Sequence, residues 1–418
     1  MDRREFVRAG IAAVGWLSGS GPGTLLAQAR EKARPLHLRV TDLKTFVVDT
    51  GTDENFVFVK IYTNQGLTGL GEGTFTGKEA TVEKAIWEHK RYLVGKDPTD
   101  IEFHCQGMFR GPRYRGGPLM MSAISAVEIA LWDILGQALG QPIWKLLGGK
   151  ARDRIRIYPH AGGRTPEQCA ASFLERKKAG WTAAKSGFLS PNVDNVMDPA
   201  SAVQEALERL QAVREAVGPR FDILVDLHGK ATTPMAVEFC RGAERFRPMF
   251  IEEATQLEDL GELAHLRSKT SAPLATGERH VTKYAFAEMC SRHLVDYVQP
   301  DVVHCGGILE MLKIAAIADA FRIQLAPHNP QSEVSTVASM HVMTVAPNAA
   351  ILEIGSGQSP RWKDLFYGGL VEFRDGYASL PDRPGLGLDL DEKVAAKFPY
   401  RPKDWRTHRL PDGSISDR

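Results

Sequence analysis

Cysteine is scarce: the 418 residues hold five, Cys105, Cys169, Cys240, Cys290 and Cys305, an odd number with no Cys-x-x-Cys pair. That excludes a disulfide framework and a zinc knuckle and leaves the thiols as small packing residues. An excess of one charge is also missing, with 52 Lys plus Arg against 51 Asp plus Glu. Without a positive field to gather phosphates or anionic lipid, no nucleic acid is expected as a partner. Beyond the first thirty residues no uninterrupted apolar run approaches the roughly 20 residues of a transmembrane helix, so no membrane span is expected. The motifs GxxxxGK[ST], HExxH and GxSxG do not occur. Gly69-Leu70-Gly71-Glu72-Gly73 lacks the continuation and the acidic ribose partner of a dinucleotide fingerprint and reads as a strand-end turn.

What is present is the composition of a large soluble protein, 43% apolar and 25% charged. Residues 1–29 read as an address: Arg3-Arg4 in a charged start, a short apolar stretch from Ala9 to Leu17, and Ala27-Gln28-Ala29 at the end. This is the pattern of a signal peptide of the twin-arginine type, and it predicts a periplasmic protein; the alternative is an uncleaved amphipathic N-terminus on a cytoplasmic one. Residues 36–149 begin with three strands, Val40 to Val48, Phe56 to Tyr62 and Leu67 to Glu72. An amphipathic helix carrying Ile124, Val127, Leu131, Leu135 and Ala138 follows and stops at Gly140-Gln141-Pro142.

From residue 150 to about 380 the rhythm becomes a repeat of apolar strand, polar loop and helix. The strands run Ile155 to His160, Thr182 to Ser186, Phe221 to His228, Met249 to Glu253, Leu274 to Glu278, Tyr297 to Val302, Ile323 to His328 and Ile351 to Ile354. Their polar ends Asp226, Glu252, Glu278, Asp301, His328 and Glu353 follow one another at intervals of 26, 26, 23, 27 and 25 residues. Eight such units predict an α/β fold, a modified (β/α)8 TIM barrel with an N-terminal α+β capping domain. In a barrel, residues at one phase of the repeat meet at one mouth. Residues 381–418 are expected to run back to the cap.

Asp226, Glu252 and Glu278 end three successive strands. Brought within a few ångströms they would repel unless a cation lay among them. An all-oxygen set open to substrate suits Mg2+ better than zinc, which favours His and Cys.

The motifs Val225-Asp226-Leu227-His228-Gly229, Ile251-Glu252-Glu253, Gly277-Glu278-Arg279, Gln299-Pro300-Asp301 with His304-Cys305-Gly306-Gly307-Ile308, and Leu325-Ala326-Pro327-His328 resemble the enolase superfamily. More narrowly, they resemble the acid-sugar dehydratases of its mandelate racemase subgroup, of the galactonate dehydratase type. The run Ser122 to Asp133 with Leu146-Leu147-Gly148-Gly149 is also similar to that family, and the resemblance extends from about Leu38 to Leu390.

The resemblance implies a hydro-lyase that removes water from a small sugar acid through an enediolate to give a 2-keto-3-deoxy acid, in a homo-oligomer. It implies Asp226, Glu252 and Glu278 as Mg2+ ligands, His328 as base, Asp301 as the partner that orients it, and His228 as general acid. Glu353 is implied as a substrate-bonding acid and Lys185 as a group that steadies the carboxylate. Racemases and cycloisomerases of the superfamily show Lys-x-Lys at the second strand, and here Gly187 stands in place of the second lysine. Elimination needs one base and one acid, so dehydration is favoured over racemase, epimerase or cycloisomerase chemistry. A non-catalytic periplasmic sugar-acid binding protein is the alternative from another class. Glu252-Glu253-Ala254 and the Lys230 to Pro234 loop depart from the family pattern and bear on the substrate. Specificity is expected from Thr50 to Asn55 and Thr74 to Gly77. Arg110 to Gly117 suits either a polyhydroxy acid or solvent, and Arg279 either substrate or a counter-ion role. His293, His304 and His341 read as packing or surface residues.

Overall fold

The structure, a computed structural model, describes residues 36–52, 54–192, 194–355, 362–368, 371–380, 382–404 and 407–417. The segment read as a signal, residues 1–29, lies outside the described residues. Three antiparallel strands come first, β1 (Val40–Asp49), β2 (Asn55–Thr63) and β3 (Thr68–Glu72), with β2 in the middle. Helices α1 (Glu79–Leu93), α2 (Ile101–Arg110) and α3 (Pro118–Leu139) complete the cap. The glycines of β3 do not make a turn. They form a strand laid directly on α3: a Cβ on Gly69 or Gly71 would come within 2.0 or 1.9 Å of the Ala130 or Ala126 carbonyl oxygen. Only glycine allows that approach.

Helix α3 also departs from its amphipathic reading, because every residue from Met121 to Ile134 is buried. It has the β-meander on one side and contacts the barrel on another, so no face is left for solvent. It is long and apolar enough to cross a membrane, yet most of its apolar stretch is buried inside the protein.

The barrel strands are β4 (Ile155–Tyr158), β5 (Ala183–Ser186), β6 (Asp222–Asp226), β7 (Phe250–Glu252), β8 (Leu274–Thr276), β9 (Tyr297–Val298), β10 (Gln324–Leu325) and β11 (Leu352–Glu353). Strands β5 to β10 pair in parallel in chain order, and β11 pairs in parallel with β4. The parallel bridges His160 to Lys185 and Leu325 to Ala349 join these two groups, so the sheet closes on itself. Among the described residues seven α-helices lie between the eight strands: α4 (Pro166–Lys178), α5 (Ala202–Val217), α6 (Thr233–Ala243), α7 (Leu260–Arg267), α8 (Thr282–Ser291), α9 (Ile308–Ala320) and α10 (Glu333–Val345).

The barrel core explains where the site must be. Tyr158, Ala183, Leu224, Phe250, Ala275, Ala326 and Ile351 form one buried cluster. Two residues further along the same strands come His160, Lys185, Asp226, Glu252, His328 and Glu353. Side chains of a strand repeat with a period of two, so these polar groups stand over that apolar plug on the inward side. Residues after the eighth strand return towards the cap: Lys60 Nζ lies 2.9 Å from Asp389 Oδ2, the Tyr62 hydroxyl donates to Glu392 at 2.7 Å, and Val48 bridges Pro399.

Buried carboxylates fasten cap to barrel at two helix N-termini. Glu128 of α3 accepts the Ile308 and Leu309 amides of α9 at 2.7 and 2.8 Å. Glu72 of β3 accepts the Ser335 amide of α10 at 3.1 Å and the Ser332 hydroxyl that precedes it. In each case the carboxyl oxygens accept N–H groups left without an intrahelical partner at a helix N-terminus.

Candidate active site

Strand pairing sets Asp226 directly beside Glu252, Asp301 beside His328, and His160 beside Lys185. Glu278 lies two residues beyond the end of β8, after Gly277, whose φ of +151° turns the chain. One ligand oxygen from each of Asp226, Glu252 and Glu278 lies within 4.8 Å of the others. Glu252 Oε2 and Glu278 Oε2 are buried with no hydrogen-bond partner. Lys185 Nζ lies 3.2 Å from Asp226, 2.9 Å from Glu252 and 2.9 Å from Glu353.

This electrostatic arrangement is unbalanced. Four acids, three of them fully buried, gather around a single ammonium and leave negative charge where water solvates it poorly. Burial, reinforced by Asp226, Glu353 and Glu278, raises the Glu252 pKa well above the usual carboxylate range. Burial also raises Glu278, to about 7, with Glu253 and Asp226 adding to it. Burial works against the charge on Lys185, but the surrounding acids prevail and hold its pKa well above normal. Three converging carboxylates, two of them with an orphaned buried oxygen, are a fitting donor set for a hard divalent cation such as Mg2+.

His328 Nδ1 lies 2.7 Å from Asp301 Oδ2, and its Nε2 lies 3.5 Å from Glu278. Asp301 is an acceptor only, so Nδ1 carries the hydrogen and Nε2 is the edge turned to the triad. Burial would lower the ring's pKa, but Glu278, Glu353 and Asp301 outweigh it and raise it to about 10. Positive charge among the three acids opposes that shift.

His228 is reached differently from the expectation that it continues the strand of Asp226. Strand β6 ends at Asp226, and His228 sits at φ +51°, a left-handed conformation that costs a non-glycine residue about 1 kcal/mol or more. Its amide donates to Asp226 Oδ1 at 2.9 Å and its Nε2 lies 3.2 Å from Asp226 Oδ2, so the ring still faces the triad. The ring is 46% exposed, and the groups around it, Lys230 and Lys185 among them, lower its pKa against the pull of Asp226. A Cβ at Gly187 would stand 3.8 Å from this ring. The space in which a lysine at 187 would begin adjoins His228.

Glu353 is fully buried. Its Oε1 meets both Lys185 and His160 Nε2, and its Oε2 accepts the Asn329 amide at 3.1 Å. Arg279 does not reach towards the triad: its Nε donates to Glu253 Oε2 at 2.5 Å and its Nη1 to Gln256 at 2.7 Å, which makes it a counter-ion. In the Arg110 to Gly117 loop, Arg113, Tyr114 and Arg115 are exposed, Tyr114 to 89%.

Two histidines of the site were not anticipated. His160 lies two residues past the first barrel strand at the phase of the other site residues, a signal available in the repeat itself. His304, read as packing or surface, stands between the cap residue Ser122, at 2.8 Å, and Asp301, at 3.8 Å, with its side chain 14% exposed. No spacing in the sequence carries that contact, because Ser122 is 182 positions away.

Residues 25–148 match the mandelate racemase / muconate lactonizing enzyme N-terminal domain, and residues 168–394 match the enolase C-terminal domain-like family. A D-galactonate dehydratase family member of Streptomyces bingchenggensis is 37% identical over 412 residues, which covers 92% of this chain and all of the relative. D-galactonate dehydratase of Xanthomonas oryzae pv. oryzae is 37% identical over 391 residues, 91% of this chain and all of the relative. Among solved structures, an enolase from Pantoea ananatis with bound D-gluconate and Mg superposes with a TM-score of 0.86 at 30% identity, covering 91% of this chain and 100% of the other. A member of the enolase superfamily from Salmonella Typhimurium gives 0.82 at 26% identity, over 87% and 98%.

Proposed function

The chain belongs to the mandelate racemase / muconate lactonizing enzyme family of the enolase superfamily, and on that premise we propose that it is a Mg2+-dependent dehydratase of a sugar acid, an aldonate such as galactonate. The observation that carries this reading is the division of labour at the mouth: one histidine fixed by a carboxylate, a second just past the end of another strand, and glycine where a second lysine base would stand.

Asp226, Glu252 and Glu278 hold the metal in this reading. When bound, the cation supplies positive charge to the substrate carboxylate and so makes the neighbouring C–H more acidic. His328 receives the C2 proton at Nε2, since Nδ1 is committed to Asp301. Asp301 orients the ring and stabilises it once protonated. His228 delivers a proton to the departing C3 hydroxyl; its ring, 46% exposed, takes that proton from solvent, and the negative charge of the bound carboxylate substrate favours the imidazolium. Glu353, buried and anchored by Lys185 and Asn329, offers an acceptor to a substrate hydroxyl. Loss of water across C2 and C3 leaves an enol, which becomes the 2-keto-3-deoxy acid.

The relatives point to two epimers, D-galactonate by name and D-gluconate as a bound molecule. The test is a panel of aldonates incubated with Mg2+, read for 2-keto-3-deoxy products. Metal-dependent product from at least one acid is expected, and none from folded His328→Asn. Exchange of the C2 hydrogen in deuterated water without loss of water would instead establish a racemase or epimerase. Binding without turnover, unaltered by Glu252→Gln, would establish a binding protein.

A further inference from the structure

We propose that a directed chain of hydrogen bonds runs from the cap helix to the base, Ser122 to His304 to Gln331 to Asp301 to His328, and that His304 and Gln331 are positioning residues for the Asp301 carboxylate. The inference rests on the reading of His328 as base.

The direction of each bond follows from counting protons. Ser122 Oγ donates its single hydrogen to the Pro118 carbonyl, 2.7 Å away in the preceding turn of α3. The same oxygen lies 2.8 Å from His304 Nδ1. With no hydrogen left to give, it must accept, so His304 is protonated at Nδ1. Burial lowers the His304 pKa, so the ring is neutral and Nε2 is a lone pair.

That lone pair faces Gln331 Nε2 at 3.4 Å, and Gln331 Nε2 lies 2.8 Å from Asp301 Oδ2. The amide nitrogen therefore serves two acceptors with its two hydrogens. Turning the amide over would set its oxygen against both, so its orientation is fixed by its neighbours. Gln331 Oε1 is accordingly left buried with no hydrogen-bond partner, a cost of about 1–3 kcal/mol that the arrangement tolerates. Asp301 Oδ2 then accepts from Gln331 and from His328 Nδ1, while Oδ1 takes the Val303 amide at 2.8 Å.

The cap contributes a second contact. The Phe75 ring meets His304 edge to face at 5.5 Å between centroids. Phe75 lies in the cap loop Thr74 to Gly77, and Ser122 lies on α3. Seating of the cap thus fixes the His304 tautomer, the tautomer fixes the Gln331 amide, and the amide fixes the oxygen that aims the base. Separation of cap and barrel removes the Ser122 acceptor and frees His304 to carry its hydrogen on Nε2, which would turn a donor towards Gln331.

The experiment has two arms. Long-range 1H–15N NMR of the full protein is expected to show His304 protonated at Nδ1, and Ser122→Ala is expected to populate the Nε2–H form. In the kinetic arm, with Mg2+ and D-galactonate or D-gluconate, Ser122→Ala and His304→Phe are expected to lower kcat on the order of tenfold. KM should stay within about twofold, and the primary isotope effect with C2-deuterated substrate should rise, as for a loss felt in proton abstraction alone. Ser122→Thr, which keeps the hydroxyl, should restore both values. An Nε2–H tautomer in the wild type, or Ser122→Ala kinetics equal to wild type, would overturn the inference. If the wild type turns over neither acid, the substrate reading has failed, and the tautomer measurement still decides the chain.

Discussion

Lys185 is the residue on which the charge balance of the site turns. It is 3% exposed and within 3.2 Å of three carboxylates. Removing one partner of a buried ionic cluster costs more than the cluster contributes, because the remaining charges stay unpaired in a medium that solvates them poorly. Lys185→Met is therefore expected to destabilise the metal-free protein by about 3 kcal/mol or more. Mg2+ should stabilise the variant more than it stabilises the wild type, since it then replaces the charge that the lysine supplied. Thermal unfolding of both proteins with EDTA and with Mg2+ checks this, and equal metal-induced shifts would refute it. The acids and bases around this lysine were legible in the sequence because each closes a strand at one phase of the repeat. The Arg279 pairing with Glu253 and the His304 network were not, since their partners are fixed by where loops turn after the strands end and by how the cap seats.

At the scale of elements, the least replaceable join is β3 on α3. A methyl on Gly71 would sit 1.9 Å from the Ala126 carbonyl oxygen, an atom that cannot rotate away as a side chain can. Gly71→Ala should cost about 3 kcal/mol or more, because strand and helix must part along their length. Gly66→Ala tests the alternative that any lost glycine is harmful: it has no atom within 4 Å of the added carbon but a φ of +80°, so it pays only for the turn, about 1 kcal/mol. Urea midpoints of the two variants should differ in that order, and equal midpoints would show that the close approach is soft. The strand itself was readable from its alternation, but its glycines pointed to a turn, because a local pattern does not reveal that a helix backbone lies across it. For the same reason α3 read as amphipathic: a hydrophobic stripe is visible in sequence, whereas the burial of Ser122, Ser125, Glu128 and Asp133 depends on partners supplied by distant segments.

The whole molecule responds to pH through buried groups of opposite sense. Glu128, at the seam of cap and barrel, is pushed up to about 8 by burial, against the amides and the indole that donate to it. Its folded pKa lies above that of an unfolded glutamate, about 4.3, so between these values the folded state holds the extra proton. Its contribution is therefore full at low pH and is lost as pH rises towards 8. His89 in α1 is the reverse case: burial lowers it to about 4, and its Nε2 has no hydrogen-bond partner. Below pH 6.5 the unfolded chain binds a proton there that the folded chain refuses, so stability is complete above that pH and is lost as pH falls towards 4. Each pH unit inside either window is worth about 1.4 kcal/mol. Comparison of variants with wild type isolates the two terms, since all other titrating groups cancel. Between pH 7 and pH 5, His89→Leu should gain about 2 kcal/mol relative to wild type, and Glu128→Gln should lose about 2–3 kcal/mol relative to wild type. Urea unfolding at the two pH values measures both. Curves that tilt the same way would mean that at least one of these groups keeps, in the fold, the protonation it has in water.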